Sequence, residues 1–301
     1  MKSLIPLVLL FSIFHSDLSI AQSKTSLDSL KLNITEQLKK QKGTFAVAFK
    51  NLVSGKELLI NEQEIFHAAS TMKTPVMIEV FKQANEGKFS LQDSLVIKNE
   101  FKSIVDSSIY QLDSANDSET KIYRHLGEKR TLYSLMYEMI IASSNLSTNL
   151  IIDRIGAKNV TQTMRKMGAT KIHILRGVED EKAYDKRLNN TTTAYDLMLI
   201  FTRIARGKAV SKMASQEMIK ILSDQEHNEI IPAMLPMKVK VAHKTGSITG
   251  VRHDSGIVFL PDGKKYVLVL LSKNLEDESA AVNAMATVSK MIYDSVSGSS
   301  K

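Results

Sequence analysis

The 301-residue chain has no cysteine and no tryptophan, and only five prolines. Without cysteine there can be no thiol nucleophile, no cysteine-ligated metal and no disulfide, so a fold of this size must be held by its core alone. The seven histidines show no i, i+3 or i, i+4 pairing, which leaves a zinc site without support. No glycine-rich phosphate loop is present, and neither a cofactor nor a metal is expected. No apolar run is long enough to span a bilayer. The 40 Lys and Arg outnumber the 32 Asp and Glu, but the basic residues are scattered and lack interleaved aromatics. They read as a solvated surface, not a nucleic-acid face.

What is present begins with a leader pattern. Lys2 precedes an apolar stretch, Ile5 to Phe14, and Ser19-Ile20-Ala21 fits a small-x-small cleavage site. The expectation is export to the periplasm or medium, removal of residues 1–21, and a mature monomer from Gln22 with no integral membrane association. After it, Ser26–Lys42 has helical spacing, and Thr44–Leu52 and Lys56–Phe66 alternate as two strands. Residues 70–224 are mainly helical, with periodic segments at Pro75–Asn85 and Leu132–Ala142 and a capping box at Thr193-x-x-Asp196. Period two returns at Lys238–Gly246, Gly256–Leu260 and Tyr266–Leu271, before a last helix over Ser279–Ser295. The expected fold is therefore α/β (α+β): an antiparallel sheet built from both termini (22–69 and 225–301), flanked by helices, with an all-helical lobe (70–224) inserted.

Three short motifs fall at the boundaries between these regions: Ser70-Thr71-Met72-Lys73, Ser143-Ser144-Asn145 and Lys244-Thr245-Gly246-Ser247. Each is weak alone; their order and setting make a chance match improbable. A serine hydroxyl is a poor nucleophile without a base, and Lys73 lies one helical turn from Ser70. A second lysine nearby, Lys244, would help keep one of the two neutral. Lys244 suits a substrate carboxylate, and Gly246 lets a substrate backbone approach the strand. Ser143 suits proton delivery to a leaving nitrogen, and Asn145 suits a substrate amide. Arg252 is a candidate second anchor for a carboxylate.

S-x-x-K, S-D-N and K-T-G together are the signature of class A β-lactamases and penicillin-binding proteins. The chain resembles a class A serine β-lactamase over essentially its whole mature length, with further agreement at Asn149-Leu150, Thr191-Thr192-Thr193 and the terminal helix. The resemblance implies the β-lactamase/transpeptidase-like fold and hydrolysis of a small-molecule β-lactam, with Ser70 acylated and the N–H groups of Ser70 and Ser247 forming the oxyanion hole. The chain also departs from the family pattern. Ser144 stands where the family carries Asp, and a polar insertion around Gln111–Lys121 reads as a surface loop. The E-x-x-L-N loop is replaced by Arg176-Gly177-Val178-Glu179-Asp180-Glu181 and Leu188-Asn189-Asn190-Thr191. Glu179, 36 residues after Ser143, is assigned the deacylating role by its spacing, with Glu181 as the alternative. Asn190 takes the place of the Asp in the loop's usual Arg–Asp clamp. Two other functions stay open: a DD-peptidase-like enzyme acting on peptidoglycan stem peptides that acylates but deacylates slowly, and a non-catalytic wall-binding or β-lactam-sensing domain.

Overall fold

The computed structural model describes residues 14–298. Lys2 and the apolar run from Ile5, except its last residue, lie outside the described residues. Helix α1 (Phe14–Lys39) extends further toward the N-terminus than the spacing predicts, through a stretch with neither proline nor glycine to stop it. The hairpin β1 (Thr44–Asn51) and β2 (Glu57–Ile60) follows. The second strand ends early because Asn61 turns into the left-handed region at φ 47, and β3 (Phe66–His67) is separate. A 3-10 turn, Ala69–Met72, leads into α2 (Lys73–Asn85).

The helical region then carries β4 (Ser94–Val96), β5 (Phe101–Lys102), β6 (Ile109–Tyr110) and β7 (Lys129–Thr131) before α3 (Leu132–Ile141), α4 (Asn145–Ile155), α5 (Ala157–Lys166) and the short α6 (Glu181–Asp185). The two-residue β8 (Thr191–Thr192) pairs with β3. Helices α7 (Ala194–Ala205) and α8 (Lys212–Ser223) come next, with the Thr193 hydroxyl accepting the Asp196 N–H as the capping pattern requires. Strands β9 (Lys240–Ile248), β10 (Val251–Phe259) and β11 (Lys265–Lys273) and helix α9 (Glu278–Ser297) complete the described chain.

The five-stranded sheet has the order β2-β1-β11-β10-β9 and is antiparallel throughout. It joins the two ends of the chain: Val47 opposes Leu270. The strand period of two splits the apolar residues between faces. Phe45, Val47, Phe49, Leu268 and Leu270 pack with Ile34, Met285, Val288 and Ile292 of α1 and α9. Ala46, Ala48, Ala242, Val267 and Val269 pack with Leu197 and Phe201 of α7, in a core that runs on without a break into α2, α3, α4 and α5. The helical region therefore has no separate core. It rests on the sheet, and β9, one of its two edge strands, borders the nucleophile turn. Among the described residues, no helix is long and apolar enough to cross a membrane.

Candidate active site

Ser70 sits half-buried in the 3-10 turn, one turn ahead of the fully buried Lys73 at the start of α2. Pro75 falls in the first turn of α2, where its missing N–H costs no helical bond. The turn is held tightly. Ala69 takes a left-handed φ of 44 and donates its N–H to His67 Nδ1 at 3.0 Å, while the Ala68 N–H donates to the Asn190 carbonyl at 2.8 Å. Ser143 and Glu179 also have positive φ, 61 and 59. Such backbone persists only where its surroundings over-determine it, and functional sites are where it concentrates.

The alternation of β9 turns Lys244 and Gly246 toward this turn. Gly246 touches it: a Cβ there would lie 3.1 Å from the backbone nitrogens of Ser70 and Thr71. Thr245 is half-buried and Ser247 exposed at the same edge, and both line a cleft of about 760 Å³ with Ser70, Ser143 and Asn145.

The two lysines meet at Ser143. Lys73 Nζ donates to the Ser143 carbonyl (2.6 Å), to Ser143 Oγ (3.2 Å) and to Asn145 Oδ1 (2.9 Å). Lys244 Nζ donates to the same Oγ at 3.0 Å and to the Thr245 carbonyl at 3.0 Å. Burial draws the Lys73 ammonium down to about 7, against the opposing pull of Asp117 and Glu179. Burial, reinforced by Lys73, places Lys244 well below the ordinary lysine range. With both lysines donating into its oxygen, Ser143 can direct its own proton into the cleft.

Glu179 joins this cluster and Glu181 does not. Asn145 Nδ2 donates to Glu179 Oε1 at 2.7 Å, so one asparagine bridges Lys73 and Glu179. Burial raises the Glu179 carboxyl, partly offset by the Asn145 hydrogen bond. Glu181 is exposed in the first turn of α6. The loop that carries Glu179 is fixed from several sides. Asn149 accepts the Val178 N–H (2.7 Å) and donates to its carbonyl (3.1 Å). Gly177 is required beside it, since a Cβ would fall 2.2 Å from Asn149 Oδ1. Asp180 accepts from Ser103 Oγ and the Ile104 N–H, both at 2.9 Å. In place of an Arg–Asp clamp, buried Arg176 donates to the carbonyls of Leu188 and Gly177 (both 3.1 Å), and Asn190 accepts the N–H groups of Leu175 and Arg176.

Two expectations change. The insertion around Gln111–Lys121 is not only a surface loop: Asp117 is 6 % exposed and reaches the N-terminus of α4. The polar composition of the segment carries no sign of this, because the helix end that Asp117 reaches lies almost thirty positions away. Arg252 does line the cleft, but it is already paired, with Arg252 Nη2 2.5 Å from Glu278 Oε2. A substrate carboxylate would have to share it with Glu278.

Known proteins resemble the chain over most of its length. β-Lactamase VEB-1 of Pseudomonas aeruginosa is 23% identical over 300 residues, covering 96% of each chain. The structure of PBP-A is similar at 28% identity and a TM-score of 0.77, covering 90% of this chain and 96% of that one; a mutant of it is known as an acyl-enzyme complex with penicillin G. A β-lactamase from Chitinophaga pinensis shares the fold at a TM-score of 0.78 and 22% identity, over 89% of this chain and 99% of that one. The sequence profile of the β-lactamase enzyme family matches residues 29–296. The chain belongs to the β-lactamase enzyme family.

Proposed function

We propose that the protein is an exported class A serine β-lactamase working through a Ser70 acyl-enzyme, as a monomer in the periplasm or medium after cleavage near Ala21. The observation that carries this reading is the bridge at Asn145, which holds Lys73 and Glu179 on either side of one residue. Ser70 Oγ attacks the lactam carbonyl while neutral Lys73 accepts its proton. The N–H groups of Ser70 and Ser247 stabilise the oxyanion. The C–N bond breaks, and the nitrogen takes a proton from Ser143, which is resupplied by a lysine. Glu179 then accepts a proton from water as the water attacks the ester, and Ser70 recovers its hydrogen as it leaves. Lys244 anchors the substrate carboxylate, helped by Thr245 and by Arg252 where Glu278 yields it, while Asn145 binds the substrate amide.

The second reading, a DD-peptidase-like enzyme on peptidoglycan stem peptides, draws support from the likeness to PBP-A and from the missing E-x-x-L-N loop. One experiment separates the two. Protein beginning at Gln22 is mixed with a chromogenic cephalosporin and sampled by intact-mass spectrometry. Sustained turnover with a transient adduct on the Ser70 peptide is expected. A long-lived adduct would favour the peptidase, and no adduct would remove both. N-terminal sequencing of protein from the soluble envelope fraction tests export; a retained Met1 in a membrane fraction would refute it.

A further inference from the structure

The S-x-N motif has no acidic residue of its own. Ser144 occupies the middle position, is fully buried, and accepts the Ser147 N–H at 3.2 Å as the N-cap of α4. A carboxylate nevertheless reaches this helix end from elsewhere. Asp117 Oδ1 and Oδ2 accept the Asn145 N–H at 2.9 and 3.0 Å, and Oδ2 accepts the Leu146 N–H at 2.9 Å. Closer in sequence, Asp117 also accepts the Tyr123 hydroxyl (2.9 Å) and the Glu119 N–H (3.1 Å). Its neighbours Asn116 and Ser118 line the cleft.

Asn145 is thus gripped at three atoms. Its N–H is held by Asp117, its Oδ1 by Lys73 and its Nδ2 by Glu179. We infer that Asp117 is a positioning residue of this active site: the inserted segment supplies the buried carboxylate that the S-x-N motif lacks, locks Asn145 between Lys73 and Glu179, and sets the charge balance of that pair. The inference rests on the serine-hydrolase reading of the site.

The physical case has two parts. A carboxylate on the first N–H groups of α4 satisfies orphan donors and complements the helix dipole, so the asparagine side chain leaves the helix in one direction. The second part is electrostatic. The charged and titratable groups facing Asp117 are Lys73 from α2, Glu179 from the loop and Tyr123 just after the inserted segment, with Lys244 beyond Lys73. The Asp117 charge holds the Lys73 ammonium up against the stronger effect of burial, and pushes the Glu179 carboxyl up in the same sense as burial. Neutralising Asp117 therefore lowers both, so that each base sheds its proton at lower pH.

The test compares Asp117→Asn, which keeps an acceptor without the charge, with Asp117→Ala, which keeps neither. The readouts are the pH dependence of acylation and deacylation of Ser70 by a chromogenic cephalosporin, hydrogen exchange at Asn145 and Leu146, and NMR titration of the Glu179 carboxyl. Asp117→Asn should keep the exchange protection, move the ascending limbs of both rates to lower pH and titrate Glu179 at lower pH. Asp117→Ala should exchange faster and lose up to roughly 100-fold in rate, the order of loss that a 1 Å misplacement of a site group can cause. Rates that fall equally at every pH in both variants, with Glu179 titrating as in the parent, would reduce Asp117 to an ordinary helix cap and overturn the inference. If the parent itself forms no Ser70 adduct, the functional reading fails, while exchange and the Glu179 titration still decide whether Asp117 controls the pair.

Discussion

Replacing Gly246 with Ala perturbs the contact between the sheet edge and the nucleophile by one methyl group. The new Cβ would lie 3.1 Å from the nitrogens of Ser70 and Thr71 and 3.1 Å from Thr71 Cγ2. That is several tenths of an ångström inside the roughly 3.5–4.0 Å optimum for such contacts. Two of the three atoms are backbone, in a turn already tied by Ala68 N–H to Asn190 and Thr71 N–H to Ala68, so the strain has no flexible side chain to relax into. Overpacking of this kind costs about 1–3 kcal/mol, which corresponds to a fall of roughly 2–12 °C in Tm for a domain of this size class. The strand and the turn must also separate, which moves Ser70 relative to the Ser247 N–H. Since a displacement near 1 Å can cost about 10²-fold, a tenth of that penalty, roughly 10-fold in kcat/KM, is expected here. The assay is steady-state hydrolysis of a chromogenic cephalosporin beside a thermal melt, with Gly256→Ala as the control. At Gly256 a Cβ would sit 2.5 Å from His243 Cβ and 2.7 Å from the Ala242 carbonyl, away from the Ser70 turn. Gly256→Ala should therefore lose more Tm than Gly246→Ala and less kcat/KM. A Gly246→Ala enzyme with parental kcat/KM would refute the claim that this contact sets the nucleophile.

Glu179→Gln should acylate near the parental rate but accumulate the Ser70 adduct, because a positioned base contributes roughly 10²–10⁴-fold; Glu181→Gln, in the exposed turn, should turn over like the parent. Lys244→Ala should lower kcat/KM for carboxylated substrates far more than for an uncharged ester, and equal losses would indicate structural damage. Acylation should rise with pH through about 7, where Lys73 loses its proton. Stability should fall as pH drops below 6.5 toward 4. Burial holds His253, and burial and Arg176 hold His67, neutral down to about 4, so the unfolded chain takes up protons first and is favoured in acid. For fully buried His253 the span from 6.5 to about 4 amounts to roughly 3 kcal/mol, and His253→Gln should flatten the acid limb of a Tm-against-pH curve.

The residues legible in the sequence are those whose partners are near in sequence or carried by a periodic element. Ser70 and Lys73 share a turn, Lys244 and Gly246 share a strand face, and Thr193 caps its own helix. The periods of α3, α9 and β11 follow directly from burial on one face or two. The first half of β10 was not legible, since Arg252-His253-Asp254-Ser255 is polar. It is a strand because those side chains find partners inside the fold: Asp254 accepts from His243 Nδ1 at 2.9 Å and from the Ile231 N–H at 2.9 Å, and His253 Nε2 meets the His67 carbonyl at 2.9 Å. Asp117 was hidden for the same reason. A carboxylate that caps a helix 28 residues ahead leaves no local pattern.

The sheet also dictates when the site can exist. Among the described residues, strand β1 pairs only with β2 and with β11, and Val47 meets Leu270 across most of the chain length. A nascent chain that has reached α8 carries Ser70, Lys73, Ser143 and Glu179, yet it lacks Lys244, the wall at Gly246 and the strand against which β1 must lie. Such distant pairings close slowly, because the entropy of a large loop is lost before any contact repays it. The chain therefore reaches its last quarter without a completed sheet, and the nucleophile is assembled in the closing step of folding rather than early in synthesis.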